Sequence, residues 1–351
     1  MKVLLVRLRL IGDVVFTTPL IRALRRHLPD AHLTYLVEPP AAPVLQANPH
    51  LDALVIAPKR RGAARLRDDL TIARRLRRER FDVAIDLHGG PRGAWFAWAS
   101  GAPMRIGYAI AGRSWMYTHV VPRAADLAPR HSVRNQFDLL APLGIDRCDP
   151  ESEPVEMADD PAARDRVQRR LRELGIAPGH QLAVIHVSAG NAFRRWPAES
   201  FAELATALVC RDANRRVILL SGPSDRAAAE AVAQVARGRL GSAAHAIVAG
   251  EFDLAETRAL AARAAVYIGG DSGPVHIAAT TTTPIVQLLG PTLPERSMPW
   301  RSPAYVAEAV DVGPLPCRPC HQRRCEPGDF RCLTGITPER VVAAAERAMQ
   351  R

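Results

Sequence analysis

A glycine-rich loop in the second half of the chain carries residues suited to binding an anion. The segment 269–276 follows an apolar run and precedes a helical pattern, and its two leading glycines allow a tight turn. Asp271 or Ser272 can cap the helix, while the free N–H groups from Gly273 onward and the helix dipole suit a phosphate. His276, about one turn further on, offers another donor. A capped helix with a satisfied histidine is an equally good interpretation of the same residues.

A second polar loop, at 188–197, also lies between a predicted strand and a predicted helix. It carries the hydroxyl of Ser188 and the guanidinium groups of Arg194 and Arg195. Ligands of open α/β sheets bind at the carboxyl ends of strands, so we expect this loop at the same sheet edge as the first. Fixed cations there would stabilise a leaving diphosphate without a metal. The loop that carries Gly222 is a weaker candidate for the same rim, and ordinary turn chemistry is the alternative interpretation of its residues.

In the first half of the chain, Asp13 is the candidate for chemistry. It lies in the turn between the apolar run 2–8 and a helical pattern that begins near Thr18. A carboxylate in that position often only caps a helix, but it is also suited to act as a general base toward an acceptor hydroxyl. Arg92 and Arg105, which we place after further strands of the same half, are candidates to contact anionic groups of an acceptor. Ordinary surface arginines are the alternative.

Several common nucleotide-site signatures do not occur in the sequence. There is no G-x-G-x-x-G and no Walker A lysine, which argues against dinucleotide oxidoreductases and P-loop kinases. No D-x-D occurs, so a donor site built on a carboxylate-held divalent cation is not favoured, and no cofactor is expected for catalysis. A nucleic-acid partner is not expected either, because the sequence has no zinc-finger or RRM signature.

Four cysteines are concentrated near the end of the chain, in what we term the cysteine segment, residues 317–332. They are Cys317, Cys320, Cys325 and Cys332. Four thiolates this close can hold zinc tetrahedrally, and the leading C-x2-C has ligand spacing. The second pair lacks that spacing. A structural zinc site and free thiols or disulfides are therefore both open interpretations.

Strand and helix patterns alternate over most of the chain, and this alternation sets where the loops must lie. It predicts an α/β fold with parallel sheets and helices on both faces. A length of 351 residues predicts two domains, which we place at 1–160 and 161–335, followed by a final helix within 336–351. The acidic, proline-bearing stretch 146–161 is suited to join the domains. The predicted strands are Lys2–Leu8, Leu33–Val37, Ala53–Ala57, Val83–Leu87, Arg105–Tyr108, Leu182–Val187, Val217–Leu220, Ala246–Val248, Val266–Ile268 and Ile285–Leu289.

Positive charge is concentrated in one helix of a protein that is otherwise of ordinary composition. The formal net charge is +11, and segment 59–80 carries much of it, with ten cationic and three acidic residues. Apolar residues at helical spacing make this segment an amphipathic helix with a basic outer face. Besides a solvated surface, such a face fits anionic lipid headgroups or a phosphorylated substrate. The apolar runs are too short for a membrane span and the first residues do not form a signal peptide, so a cytoplasmic location is expected.

Taken together, three segments resemble glycosyltransferase family 9, the ADP-heptose:lipopolysaccharide heptosyltransferases. They occur in the family's order and are Lys2–Pro19, Arg194–Pro197, and Asp271–Ala279 continuing to Gly290–Thr292. The similarity covers essentially the whole chain. It implies a GT-B fold, in which two Rossmann-like domains face each other across a cleft. It also implies an acceptor on the N-terminal domain, a nucleotide-sugar on the C-terminal domain, and a final helix that returns to the first domain.

The resemblance implies roles for individual residues as well. Asp13 matches the family's catalytic base. The family's donor-phosphate loop is matched by Asp271, Ser272, Gly273 and His276. Arg194 occupies the position where the family usually has a lysine that contacts the donor phosphates. This is a departure that alters the contact, because arginine binds through a planar fork where lysine is a point charge.

The predicted function is therefore an inverting, metal-independent transfer of heptose from ADP-heptose to a sugar hydroxyl of the lipopolysaccharide inner core. The acceptor is anionic, and the basic helix would attach the enzyme peripherally to the inner leaflet of the inner membrane. The alternatives are another GT-B transferase, a nucleotide-sugar epimerase, or a non-catalytic nucleotide-binding protein at the membrane. Screening ADP-, UDP- and GDP-sugars separates the enzymatic alternatives, and ADP binding without turnover would indicate the non-catalytic one.

Overall fold

The computed structural model consists of two compact units, Met1–Ala158 and Asp159–Arg351. Each unit contains one six-stranded parallel sheet with helices. The boundary between the units lies close to the predicted position at residue 160. The residues that the structure describes are 1–125, 128–145, 149, 151–187 and 191–351.

The first unit is a doubly wound sheet. Its strands are β1 (Lys2–Val6), β2 (His32–Val37), β3 (Ala53–Ile56), β4 (Val83–Asp86), β5 (Met104–Tyr108) and β6 (His119–Val121). Its helices are α1 (Ile11–Val15), α2 (Thr18–His27), α3 (Ala42–Leu45), α4 (Gly62–Arg78), α5 (Pro91–Ala99) and α6 (Ser132–Phe137). The spatial order is β3-β2-β1-β4-β5-β6, so the direction of winding reverses between β1 and β4. We term this position the switch point of the sheet, and ligands of such folds bind at its carboxyl edge.

The second unit repeats the same topology. Its strands are β7 (Gln181–His186), β8 (Arg215–Ser221), β9 (Ile247–Glu251), β10 (Val266–Gly270), β11 (Ile285–Leu288) and β12 (Ala307–Val310). Its helices are α7 (Pro161–Glu173), α8 (Ala198–Arg211), α9 (Arg226–Gly238), α10 (Leu254–Arg263), α11 (Gly273–Ala278), α12 (Pro294–Ser297), α13 (Arg331–Thr334) and α14 (Pro338–Gln350). The order β12-β11-β10-β7-β8-β9 places the switch point between β7 and β10.

The predicted strands include all eight central strands of the two sheets and the edge strands β3 and β9. The central strands are covered on both faces, and a strand such as β1, buried from Val3 to Val6, therefore has a continuous apolar sequence. The other two edge strands, β6 and β12, were not predicted. They are short and only partly buried, with His119 and Val120 exposed in β6, so they have no apolar run to recognise.

One helical segment of the first unit changes type along its length. It consists of α6 followed by a 3-10 helix, Asp138–Leu143, that contains Pro142. Proline lacks the amide hydrogen that would continue the α-helical hydrogen bonding, which explains the change.

In the ranges described, no helix combines the length and the apolar character needed to cross a bilayer.

The final helix, α14, packs on the second unit. Val341, Ala344 and Ala348 belong to the buried core that includes β7, β8 and α8. Glu346 lies 2.5 Å from Nη1 of Arg215, which is itself buried. These contacts account for the apolar face of the helix within its own unit, and the expected return to the first domain stays a prediction.

Candidate active site

Asp13 lies at the carboxyl edge of the first sheet, in the helix that follows β1 beside the switch point. The N-cap residue of this helix is Leu10, so Asp13 is not the cap. The Asp13 side chain is 30% exposed, and its Oδ2 lies 2.6 Å from Nη2 of Arg7. The carboxylate is therefore accessible to a ligand and held by one buried cation.

Arg7 is a residue of this site that sequence reasoning missed. It is buried directly after β1, where its Nη1 donates a hydrogen bond to the Leu87 carbonyl at 2.6 Å and its Nε to the Arg9 carbonyl at 3.2 Å. These bonds fix the guanidinium and, through the ion pair, the orientation of Asp13. The available signal was a lone arginine next to a buried strand, since an arginine is rarely buried unless it is paired.

His88 lies in the loop after β4, on the other side of the same switch point. Asp86 holds the loop: its Oδ1 accepts hydrogen bonds from the backbone N–H groups of His88 and Gly89, both at 3.0 Å, and its Oδ2 accepts one from Tyr117 Oη at 2.7 Å. Burial, and next the charge of Arg7, lower the pKa of His88 to about 4. At pH 7 the imidazole is neutral. It can exchange hydrogen bonds with a sugar hydroxyl but does not carry a charge for a phosphate.

Arg92 is engaged within the first unit. Its side chain is 10% exposed, with Nη1 2.7 Å from Glu38 Oε1 and Nη2 2.6 Å from Asp69 Oδ1. Nη2 also donates to the Pro58 carbonyl at 2.9 Å. Because Asp69 belongs to α4 and Arg92 to α5, the cluster stabilises the packing of these helices. This is a structural role, and a contact with an acceptor stays a prediction.

Arg105 lies within β5, near the beginning of the strand, and not in a loop after one. The predicted strand Arg105–Tyr108 is therefore confirmed, whereas the expectation that Arg105 follows a strand is wrong. Its Nε donates to the Met116 carbonyl at 2.8 Å and its Nη1 to the Ala102 carbonyl at 2.7 Å. Ala102 precedes the strand, so the guanidinium is directed to the amino edge of the sheet. Ligands bind at the opposite edge, and the geometry therefore does not support an acceptor contact.

In the second unit, the two polar loops predicted to share a sheet edge are in direct contact. Arg194 follows β7 and Asp271 follows β10, the two strands that flank the switch point. Nη1 of Arg194 lies 2.9 Å from Asp271 Oδ2 and donates to the Asp271 carbonyl at 3.2 Å. A Cβ atom on Gly270 would lie 3.2 Å from the Arg194 carbonyl oxygen. Glycine at that position therefore allows the close approach of the two loops.

Asp271 is a buried anion that holds Arg194. Its Oδ1 accepts a hydrogen bond from Ser297 Oγ and lies 3.7 Å from Nε2 of His276. Burial alone would raise the pKa of Asp271, but the interactions with His276, Arg194 and Ser297 outweigh it, so the pKa lies well below its usual range. The carboxylate is ionised at neutral pH and would repel a phosphate rather than bind it. The buried His276, predicted to contact the phosphate, instead faces Asp271.

Ser272, one of the two predicted cap residues, is the N-cap residue of α11, but its side chain makes no capping hydrogen bond. The Ser272 hydroxyl lies 3.3 Å from Nδ1 of the buried His186 and 3.4 Å from the Gly270 carbonyl. The first-turn N–H groups, from Gly273 onward, therefore lack a side-chain acceptor at the cap, although α11 spans only six residues.

Two other predicted donor-binding residues add less to the site. Ser188 lies outside the described residues. Gly222 follows β8, which neighbours β7, and so lies at the same carboxyl edge. A Cβ atom there would meet no other atom within 4 Å, so packing does not require glycine. Its contact with a donor stays a prediction.

The cysteine segment does not form a recognisable metal site. Cys317, Cys320, Cys325 and Cys332 are free thiols. Within the described part of the chain, no group of three or more His, Cys, Asp or Glu side chains is arranged to hold a metal ion. Burial, followed by the nearby thiols, raises the pKa of Cys332 to about 11, so this thiol is protonated at pH 7. The zinc interpretation therefore stays a prediction.

Two solved structures closely resemble this fold. A glycosyl transferase family 9 protein from Veillonella parvula has a TM-score of 0.83 at 23% identity, covering 99% of this chain and 97% of the other. The Escherichia coli ADP-heptose lipopolysaccharide heptosyltransferase II has a TM-score of 0.78 at 21% identity, covering 100% and 99%. They confirm the predicted GT-B fold.

Sequence comparison agrees with the fold. Lipopolysaccharide heptosyltransferase 3 of Escherichia coli is 29% identical over 349 residues, which cover 97% of each chain. The sequence model described as glycosyltransferase family 9 (heptosyltransferase) matches residues 70–329. These matches confirm the predicted transferase class. Because the family match extends over most of the sequence, the chain belongs to glycosyltransferase family 9, the heptosyltransferase family.

Proposed function

We propose that this protein transfers a heptose from ADP-heptose to a sugar hydroxyl of the lipopolysaccharide inner core, with inversion and without a metal. The observation that carries the proposal is the placement of Asp13 and Arg194. Each lies at the switch point of its own sheet, where ligands of doubly wound folds bind. The substrates are those named for the heptosyltransferase relatives.

Arg194 is suited to bind the donor diphosphate. Its Nε and Nη1 are held inside the protein, whereas Nη2 has no hydrogen-bond partner among the described residues and the side chain is 32% exposed. A guanidinium that is held at two of its nitrogens and open at the third is preorganised to donate to a phosphate oxygen. As the bond from C1 to the diphosphate breaks, Arg194 would offset the negative charge that develops on ADP.

Asp13 is suited to activate the acceptor. In the proposed step its carboxylate takes the proton of the acceptor hydroxyl while that oxygen attacks C1 from the face opposite ADP. One C1–O bond forms, the bond to the diphosphate breaks, and ADP leaves with the electron pair, so a single displacement inverts the anomeric centre. Arg7 engages Oδ2 of Asp13, and Oδ1 is left for the hydroxyl. The two substrates must meet, which makes domain closure part of the proposal.

A turnover assay with ADP-heptose and truncated inner-core acceptors tests the proposed function. We expect one ADP released for each heptose transferred, with the same rate in the presence of EDTA. Turnover with a UDP- or GDP-sugar, but not with ADP-heptose, would favour the alternative transferase. ADP binding without turnover on any of these donors would favour a non-catalytic protein.

We also propose that α4 attaches the protein to anionic lipid at the membrane surface. One face of this helix, which includes Ile72 and Leu76, is buried, and the basic residues of its outer face are exposed. Leu66 and Leu70 are exposed as well, at 61% and 39%. Arginines that flank exposed leucines are typical of helices that lie in the headgroup region of a membrane.

Neutralising part of this face should weaken binding to vesicles that contain anionic lipid. Each arginine near such a surface contributes about 1 kcal/mol, so Arg67→Gln combined with Arg74→Gln should lower the affinity by about 30-fold. Cosedimentation at low and high salt measures the effect, and high salt should release the wild-type protein. Arg169→Gln with Arg226→Gln removes the same charge from exposed positions of the second unit. An equal loss in this control would contradict a specific role for α4.

A further inference from the structure

The cysteine segment contacts the loop that carries Arg194. Gln322, which lies between Cys320 and Cys325, accepts two hydrogen bonds through its side-chain oxygen. One comes from Nε of Arg194 at 2.7 Å and the other from Nδ2 of Asn191 at 2.9 Å. The sequence predicted only a metal site, free thiols or disulfides for this segment. Its contact with Arg194 could not be predicted, because it joins residues 128 positions apart.

The segment is anchored well enough to position a side chain. Arg318 is almost completely buried at its guanidinium, lies 2.7 Å from Asp311 Oδ2 and donates to the Thr292 carbonyl at 2.9 Å. The rings of Phe193 and Phe330 pack together with their centroids 5.4 Å apart. These contacts join both ends of the segment to the carboxyl edge of the second sheet and to the Arg194 loop.

The backbone of Gln322 adopts an uncommon conformation. Its φ angle is +56°, in the left-handed region that a residue with a side chain adopts only infrequently. The side-chain nitrogen Nε2 of Gln322 lies 3.4 Å from Thr292 Oγ1. Because Nε of Arg194 can only donate, the side-chain oxygen of Gln322 is the atom that faces it. Residues kept in uncommon conformations cluster at functional sites, because the surrounding structure maintains them.

We infer that Gln322 is a positioning residue for Arg194 and that the cysteine segment contributes to the donor site through it. Gln322 fixes Nε of the guanidinium and Asp271 fixes Nη1, which directs Nη2 outward. Without the Gln322 oxygen, the long arginine side chain would regain rotamers in which Nη2 no longer faces the diphosphate. This inference rests on the proposed function, in which Arg194 binds that diphosphate.

The test uses the full-length protein and ADP as the probe, in a double-mutant cycle with Arg194→Ala. Gln322→Met keeps the length of the side chain but removes the acceptor, and Gln322→Ala removes both. We expect either variant to raise the Kd for ADP and to lower kcat/KM by about tenfold, the effect of losing one hydrogen bond to a charged group. In the Arg194→Ala background the same substitutions should change neither quantity by more than about twofold, because coupled residues are not additive. Gln168→Ala, at an exposed glutamine of α7, is the matched control and should leave ADP binding unchanged.

The outcomes separate this inference from the proposed function. If Arg194→Ala weakens ADP binding but Gln322→Met does not, the positioning role is wrong and the donor site stands. An equal loss in both backgrounds would show that Gln322 acts independently of Arg194 and would also overturn the inference. If Arg194→Ala leaves ADP binding unchanged, the proposed donor contact itself fails, together with everything built on it. Thermal unfolding of each variant checks that the measured protein is folded.

Discussion

Replacing Asp13 with alanine should lower kcat by about 10²–10⁴-fold, the range for loss of a positioned general base. The affinity for ADP should stay unchanged, because the donor contacts proposed here come from Arg194 in the other unit. The side chain is partly exposed and makes one ion pair, so the fold does not depend on it strongly. Steady-state kinetics with ADP-heptose and a truncated core acceptor, together with calorimetric titration of ADP, measures the two quantities separately.

Two further variants sharpen the test of Asp13. Asp13→Asn keeps the size of the side chain but removes the proton acceptor, so it should be about as inactive as the alanine variant. Asp30→Ala, at an exposed aspartate of the same unit, should retain wild-type turnover. An Asp13→Ala enzyme with near wild-type kcat would exclude Asp13 as the base and move the search to other groups around Arg7.

The second large effect is expected for Arg194→Ala, which should lower kcat/KM by about 10²–10³-fold. This is the range for removing one preorganised group that stabilises charge in a transition state. The affinity for ADP should fall as well, because ADP, the product, carries the diphosphate that Arg194 is proposed to bind. Arg194→Lys keeps the charge but has no fork with which to engage Gln322 and Asp271 together, so it should recover only part of the activity. Arg169→Ala, at an exposed site of α7, is the control for loss of one positive charge.

Arg194→Ala should also have a stability effect that depends on pH. It leaves the buried Asp271 carboxylate without its arginine, which costs about 1–3 kcal/mol of the free energy of unfolding at neutral pH. The folded-state pKa of Asp271 lies below the unfolded value, so its contribution to stability is present above the unfolded pKa and is lost as the pH falls. The difference between the wild type and the variant should therefore be largest near pH 7 and shrink below about pH 4. Denaturant titrations at several pH values measure it, and a difference that grew toward low pH would contradict the assignment.

The sheet architecture and the rough location of both loops could be predicted from the sequence. Central strands of a parallel sheet are covered on both faces and so have continuous apolar sequences, which is why β1, β7 and β10 were recognised. Once the strands are known to be parallel, the loops after them must emerge at one edge. Arg194 and Asp271 could thus be placed together although they are 77 positions apart.

The direction and the partner of each side chain were decided only by the tertiary structure. Arg92, which was predicted to contact an acceptor, forms ion pairs with two buried carboxylates. The side chain of His276 faces Asp271. Gln322 has no local signature, because what makes it important is a contact with a residue elsewhere in the chain, and the only signal for Arg7 was an arginine next to a buried strand. Local sequence determines which segments are strands and which edge their loops share. Which charged group stays open to a ligand depends on long-range pairing, because a buried charge is stable only beside a partner that folding brings to it.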